Sequence, residues 1–233
     1  MDVSWVDRGR DLVAVDECDA DGGLHRRVAR GRAWGLVRGA HTGITYSEGG
    51  PRCHPIPRSG LELDYINADM NERGWSAAFV KALRAAMDAA GFNATQLVCG
   101  DDAHAFSCAA TAASDPTLRD IIVALGSHGP QGNDPVAEGT GLPLWSTETH
   151  VTDNGGTDLV TVLADGYLLQ NLTSFAIWNA VSAYNPALFS PDWGLFRAWW
   201  PFCGHYELGG RSWVYAHHTQ STLPGWRYLS QVR

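Results

Sequence analysis

From Leu61 to Asn179 short apolar runs alternate with longer stretches of helical periodicity. The run "LELDYINA" predicts a strand. In "WSAAFVKALRAAMDAAGF" the residues Phe79, Val80, Leu83, Met87 and Ala90 share one helical face, with Ser76 as N-cap and Gly91 as the stop. "TQLVCGDD" is the next strand, and "DPTLRDI" sets Asp115 as a cap before Pro116, at a first helical position where no N–H is needed. "IIVALGSHG" is a third apolar run. "LPLWSTET", after the loop "AEGTG", is a fourth. "GTDLVTVLADGYLLQNL" carries a helical stripe through Leu159, Leu163, Tyr167 and Leu168, and "TSFAIWN" is the fifth apolar run.

Strands alternating with helices imply parallel pairing and right-handed crossovers, in an open doubly wound sheet or in part of a (β/α)8 barrel. The open sheet usually carries G-x-G-x-x-G after an early strand, and that pattern is absent. Each strand ends instead in polar or aromatic groups: Asn71 and Glu72, Asp101 and Asp102, Ser127 and His128, Glu148, then Trp178 and Asn179. Barrel enzymes gather their chemistry at those ends, which favours the barrel. The fold class is therefore α/β, a partial barrel over residues 60–233. Residues 1–59 hold more than half of the arginines and show no sustained apolar period, so a loosely ordered leader is expected there, closed by the Pro-rich "PRCHPIPRSG".

Composition narrows the function. With 233 residues and 45% apolar content the chain can bury a sizeable core. A formal charge of -8 and a single lysine, Lys81, argue against a nucleic-acid partner. No apolar run approaches the roughly 20 residues of a membrane span. The opening "MDVSWVDRGR" lacks a secretory signal pattern, yet Asn93-Ala94-Thr95 and Asn171-Leu172-Thr173 are sequons. Cys18, Cys53, Cys99, Cys108 and Cys203 read as too scattered for a disulfide scaffold, and none has zinc spacing, so the compartment stays open.

Two glutamates at strand ends suggest a reaction. Across a barrel, Glu72 and Glu148 can face each other, and hydrolysis of a sugar bond with retention needs two carboxyl groups about 5 to 5.5 Å apart. Asn71 would donate to a sugar 2-hydroxyl, and Trp178 offers a flat face to a sugar ring. Asp101 and Asp102 read more simply as a cap and surface charge. His128 at the barrel mouth is open between a substrate contact and a structural hydrogen bond. His217 and His218 splay apart on a helix and make a poor metal pair. Trp193, Trp199, Trp200, Trp213 and Trp226 are expected to be buried packing residues.

"LELDYINADMNERGWSAAFVKALRAAMDAAGF", "LPLWSTET", "SFAIWNAVSAY" and "GHYELGGRSWVYAHHTQSTLPGWRYL" together resemble the second half of the barrel in the galactocerebrosidase family, glycoside hydrolase family 59. The resemblance runs from about Leu61 to the C-terminus. It implies barrel strands four to eight, with Glu72 as acid/base ending strand four and Glu148 as nucleophile ending strand seven. Asn71 would contact galactose, and Trp178 on strand eight is a weaker candidate for the same pocket. The implied substrate is a galactolipid of the galactosylceramide type, with a lipid-presenting activator protein as partner, no cofactor, and a lysosomal or secreted setting. Two residues depart from the family: Met70 stands where it has Trp, and Thr149 where it has an acid. Residues 1–59 match none of barrel strands one to three, and the chain ends before the family's β-sandwich and lectin-like domain. An inactive fragment, or a retaining barrel glycosidase for another sugar, are the alternative expectations.

Overall fold

A computed structural model describes residues 14–18, 24–28, 32–37, 41–47, 50–52, 63–68, 71–72, 74–183, 193–198 and 204–229. Five strands run parallel: β6 (Leu63–Asn67), β7 (Gln96–Cys99), β8 (Ile122–His128), β9 (Leu144–Thr149) and β10 (Leu172–Ile177). They lie side by side in chain order as a curled half-barrel. Each of the apolar runs read as a strand is one.

The crossovers follow their caps. Helix α1 (Ala77–Ala89) begins where the Ser76 hydroxyl accepts the Phe79 N–H at 3.4 Å, satisfying a donor that the helix itself cannot pair. Its buried face is Val80, Leu83 and Met87. Ala90, expected on that face, is instead the exposed C-cap, because the helix stops one residue earlier. Helices α2 (Ala109–Ser114) and α3 (Pro116–Ile121) meet at Asp115, whose carboxylate accepts the Leu118 N–H at 3.1 Å. Asp134 caps α4 (Pro135–Gly139), and α5 (Thr157–Leu168) leads to β10. The main core lies between strands and helices: Ile66, Leu97, Cys99, Leu125 and Leu144 pack with Val80, Leu83, Met87, Ala109 and Leu118. Burying large side chains on this scale is the dominant stabilising contribution, at about 1.5–3 kcal/mol for each.

Five short strands precede the half-barrel: β1 (Ala14–Cys18), β2 (Leu24–Val28), β3 (Arg32–Val37), β4 (His41–Ser47) and β5 (Gly50–Arg52). β1 and β2 form an antiparallel pair, while β3 lies antiparallel to β6 and extends the sheet through β4 to β5. Much of the segment read as a loosely ordered leader lies outside the described residues. After β10 comes a small sheet of β11 (Val181–Ala183), β12 (Phe196–Ala198) and β13 (Glu207–Leu208), then helix α6 (Gly210–Ser221). The start of α6 docks on the β9–α5 loop glycine to glycine: a Cβ on Gly210 would lie 1.9 Å from the Gly155 carbonyl oxygen. Wholly buried Arg211 then donates from Nη1 to the Val151 carbonyl at 2.9 Å. No helix among the described residues is long and apolar enough to cross a membrane.

Candidate active site

The site is built from the C-terminal ends of β6, β7, β8 and β9. β6 ends at Asn67, which donates to the Gly100 carbonyl at 3.1 Å. The chain then turns through exposed Asn71 and Glu72, and Glu72 takes the left-handed conformation at φ 51. A residue with a Cβ adopts that region at a cost of about 1–2 kcal/mol. Neighbouring contacts offset the cost: the Glu72 N–H donates to the Asp101 carbonyl at 3.0 Å, and the Gly74 N–H to the Asp102 carboxylate at 3.3 Å.

β7 and β8 come together closely where two glycines meet. A Cβ on Gly100 would lie 2.4 Å from the Gly126 carbonyl oxygen, and one on Gly126 would lie 2.3 Å from that of Gly100. Only bare backbone fits both positions. This approach sets Asp101 beside the end of β8. Asp101, expected to be surface charge, is 5% exposed. Its Oδ1 accepts the Thr147 hydroxyl at 2.8 Å and lies 2.9 Å from Nε2 of His128. Burial of a carboxylate is tolerated when it is paired in this way.

His128 is the centre of the arrangement. Its N–H donates to the Asp102 carbonyl at 3.0 Å, and its own carbonyl accepts the His104 N–H at 2.8 Å. Nδ1 is 3.0 Å from Oε1 of Glu72, and Nε2 is 3.8 Å from Oε2 of Glu148. Burial pushes the imidazole pKa down, but the hydrogen bond and charge of Asp101, the charge of Glu148 and the hydrogen bond of Glu72 outweigh it and raise the value to about 9. The ring is therefore a cation near neutrality, with both nitrogens donating. Glu148 stands opposite His128 in the β8–β9 register, and its carbonyl accepts the Gly129 N–H at 2.7 Å.

The predicted pair is thus brought together. Glu72 and Glu148 lie against the two nitrogens of one imidazole, which caps their separation at about 9 Å, a ceiling that admits both the spacing of about 5 to 5.5 Å used in retention and the wider spacing used in inversion. Trp178 follows β10 and its N–H donates to the Thr149 carbonyl at 2.7 Å, one strand over from Glu148. Asn71 lies in the turn just before Glu72. Thr149 is buried and shares a hydrogen bond with the Ser146 hydroxyl, so its polarity serves the strand. His218 lies beside the stacked rings of Tyr167 and Tyr228, with Nε2 3.1 Å from the Tyr228 hydroxyl.

Several expectations are corrected. Cys99 and Cys108 form a disulfide across nine positions, where the spacing suggested no framework. Trp213 and Trp226 are exposed, at 64% and 61%, rather than buried. Trp193 is half-buried and stacks on His150 with ring centroids 4.4 Å apart. Trp199, Trp200 and Met70 lie outside the described residues. Sequence reasoning passed over Asp101 and Thr147 as supports for His128. The available signal was an acid directly after an apolar strand, paired with a histidine ending the next one.

A cationic imidazole between two carboxylates, set at the C-terminal ends of parallel strands, defines a carboxylate-pair site on a β/α half-barrel. Residues 57–220 match Glycosyl hydrolase family 59, and the chain belongs to that family. It is 34% identical over 194 residues to the galactocerebrosidase of Danio rerio, covering 81% of this chain and 28% of that protein. Against the galactocerebrosidase of Homo sapiens the identity is 33% over 193 residues, covering 81% and 27%. The chain therefore spans little more than a quarter of the length of these relatives. Among solved structures, a glycoside hydrolase family 30 subfamily 8 xylanase from Clostridium acetobutylicum aligns with TM-score 0.45 and 17% identity, over 53% of this chain and 36% of that one.

Proposed function

We propose that the chain carries the acid/base and nucleophile of a retaining glycoside hydrolase that removes β-galactose from galactosylceramide-type glycolipids. The observation that carries this reading is the convergence of Glu72 and Glu148 on the two edges of the His128 ring. In the first step Glu148 attacks the anomeric carbon as Glu72 protonates the glycosidic oxygen, which leaves with the lipid. Water, deprotonated by Glu72, then releases galactose and frees Glu148. His128 donates from Nδ1 to Glu72 and from Nε2 to Asp101, and its positive charge faces Glu148 at 3.8 Å. Asn71 holds the 2-hydroxyl and Trp178 faces the sugar ring. The double displacement needs no cofactor. Its lipid substrate calls for a presenting activator protein, and the disulfide suits a lysosomal or secreted setting. Residues 60–233 form the hydrolase unit, and residues 1–59 are a leader outside it whose β3 adds to the sheet edge at β6.

The exposure of Glu72, 50% against 19% for Glu148, favours a second reading in which this chain alone turns nothing over. One trapping experiment separates the two. A 2-fluoro-galactosyl donor with a good leaving group should label Glu148, with the mass of one fluorogalactosyl unit on its peptide. Labelling elsewhere would remove Glu148 as nucleophile, and no labelling at millimolar reagent would support the inactive reading.

A further inference from the structure

The loop from β7 to α2, residues 100–107, grips His128 from several sides. Asp101 holds the ring at Nε2, the Asp102 carbonyl accepts its N–H, and the His104 N–H donates to its carbonyl. The same loop accepts the Glu72 N–H at the Asp101 carbonyl. Its ends are Cys99 and Cys108, both wholly buried and joined by the disulfide.

We infer that the Cys99–Cys108 disulfide is a positioning device for His128: by closing the loop that carries Asp101, it fixes the imidazole between Glu72 and Glu148. The physical reason is desolvation. The Asp101 side chain is 7% exposed, and a carboxylate so placed gains hydration if its loop swings outward. Hydrogen bonds from His128 and Thr147 to one oxygen, Oδ1, oppose that motion. A crosslink between the loop ends opposes it further, because it limits how far they can separate. Thr147 and Glu148 stay on β9, so opening the loop draws Asp101 away from the ring and from Thr147, and with its carbonyl loosens the hold on the Glu72 N–H.

This inference rests on the proposed glycosidase reading only for its effect on turnover. The test compares the chain as purified from an oxidising expression host with the same chain reduced by a phosphine, and with the double variant Cys99→Ala/Cys108→Ala. Alkylation and mass spectrometry count the thiols, NMR follows the His128 ring through a pH titration, and an aryl β-galactoside reports kcat and KM. The expected results are no alkylation of Cys99 or Cys108 before reduction and a His128 midpoint that falls by about one pH unit or more once the crosslink is lost. In an active chain, kcat falls about 10- to 100-fold while KM changes little. Alkylation of Cys99 or Cys108 in the denatured, unreduced chain, or an unchanged His128 titration after reduction, would overturn the inference. So would global unfolding of both the reduced chain and the variant, seen as lost NMR dispersion, since the bond would then serve the whole fold. If His128 shifts but no form hydrolyses the galactoside, the positioning role stands and the proposed activity falls.

Discussion

Glu148 is still paired when it leaves the sheet, opposite His128 just after a one-residue register shift, whereas Glu72 leaves it through a left-handed turn. β9 has a parallel partner on each side, and Glu148 lies where both ladders shift register between Ser146 and Thr149, paired with His128 on the β8 side. β6 has parallel β7 on one side and antiparallel β3 on the other, and Glu72 lies five positions beyond its end. What holds Glu72 is therefore remote: the Asp101 carbonyl on its N–H and His128 on its carboxylate. The exposures follow, with Glu72 half in solvent and Glu148 mostly covered. The difference suits the proposed roles. A nucleophile must hold one line of attack, while an acid/base must reach the leaving oxygen and then a water.

Two substitutions test that division most severely. Glu148→Gln removes the proposed nucleophile, and kcat for any galactoside is expected to fall about 10,000-fold or more. Glu72→Gln is expected to cost about 100- to 10,000-fold on a poor leaving group such as a lipid alcohol. With a dinitrophenyl galactoside, which needs no proton to depart, Glu72→Gln should keep a fast burst of phenolate followed by slow turnover. Stopped-flow absorbance reads both phases. Equal losses on the two substrates would assign Glu72 no role in protonation.

The strands and helices were legible because each apolar run is bounded by a cap or turn that sequence shows directly: Ser76 before α1 and Asp115 before α3. The positions of Glu72 and Glu148 were legible because the one follows and the other closes an apolar run at the same end of a parallel sheet. Asp101 was misread because an acid after a strand looks the same whether it meets water or an imidazole. Its burial depends on the Gly100–Gly126 approach, a contact between residues 26 positions apart. The disulfide was missed for a related reason, since nine positions of separation say nothing until the intervening loop folds back. Strands β11 to β13, of two or three residues each, are too short to show any period. Exposed Trp213 and Trp226 show that an aromatic side chain by itself does not mark the core.

The His128 cation joins the two arms and makes their stability depend on pH. Its folded-state pKa of about 9 lies above the ordinary 6.5, so the folded chain holds a proton that the unfolded chain releases between these values. The stabilisation is fully present below pH 6.5, declines as pH rises, and is lost above 9. Its upper bound is about 3 kcal/mol. Urea unfolding at pH 6, 7.5 and 9 should show that decline, and His128→Gln should flatten it. A wild-type profile with no slope across this window would mean that His128 is not held as a cation.

The smallest effect is expected at Ser76, four positions after Glu72. Its hydroxyl caps α1 through the Phe79 N–H, and Ser76→Ala should cost about 1 kcal/mol in urea unfolding. The cap serves the helix, while Glu72 takes its position from Asp101 and His128, across 29 and 56 positions of sequence. Loss of the cap should therefore lower stability and leave kcat for a galactoside within about twofold, because an independent site adds its effect without coupling. A drop in kcat beyond tenfold in Ser76→Ala, with the fold intact by circular dichroism, would mean that α1 itself aims the Glu72 turn. The remote contacts would then be secondary, and the contrast between the two carboxylates would be one of exposure alone.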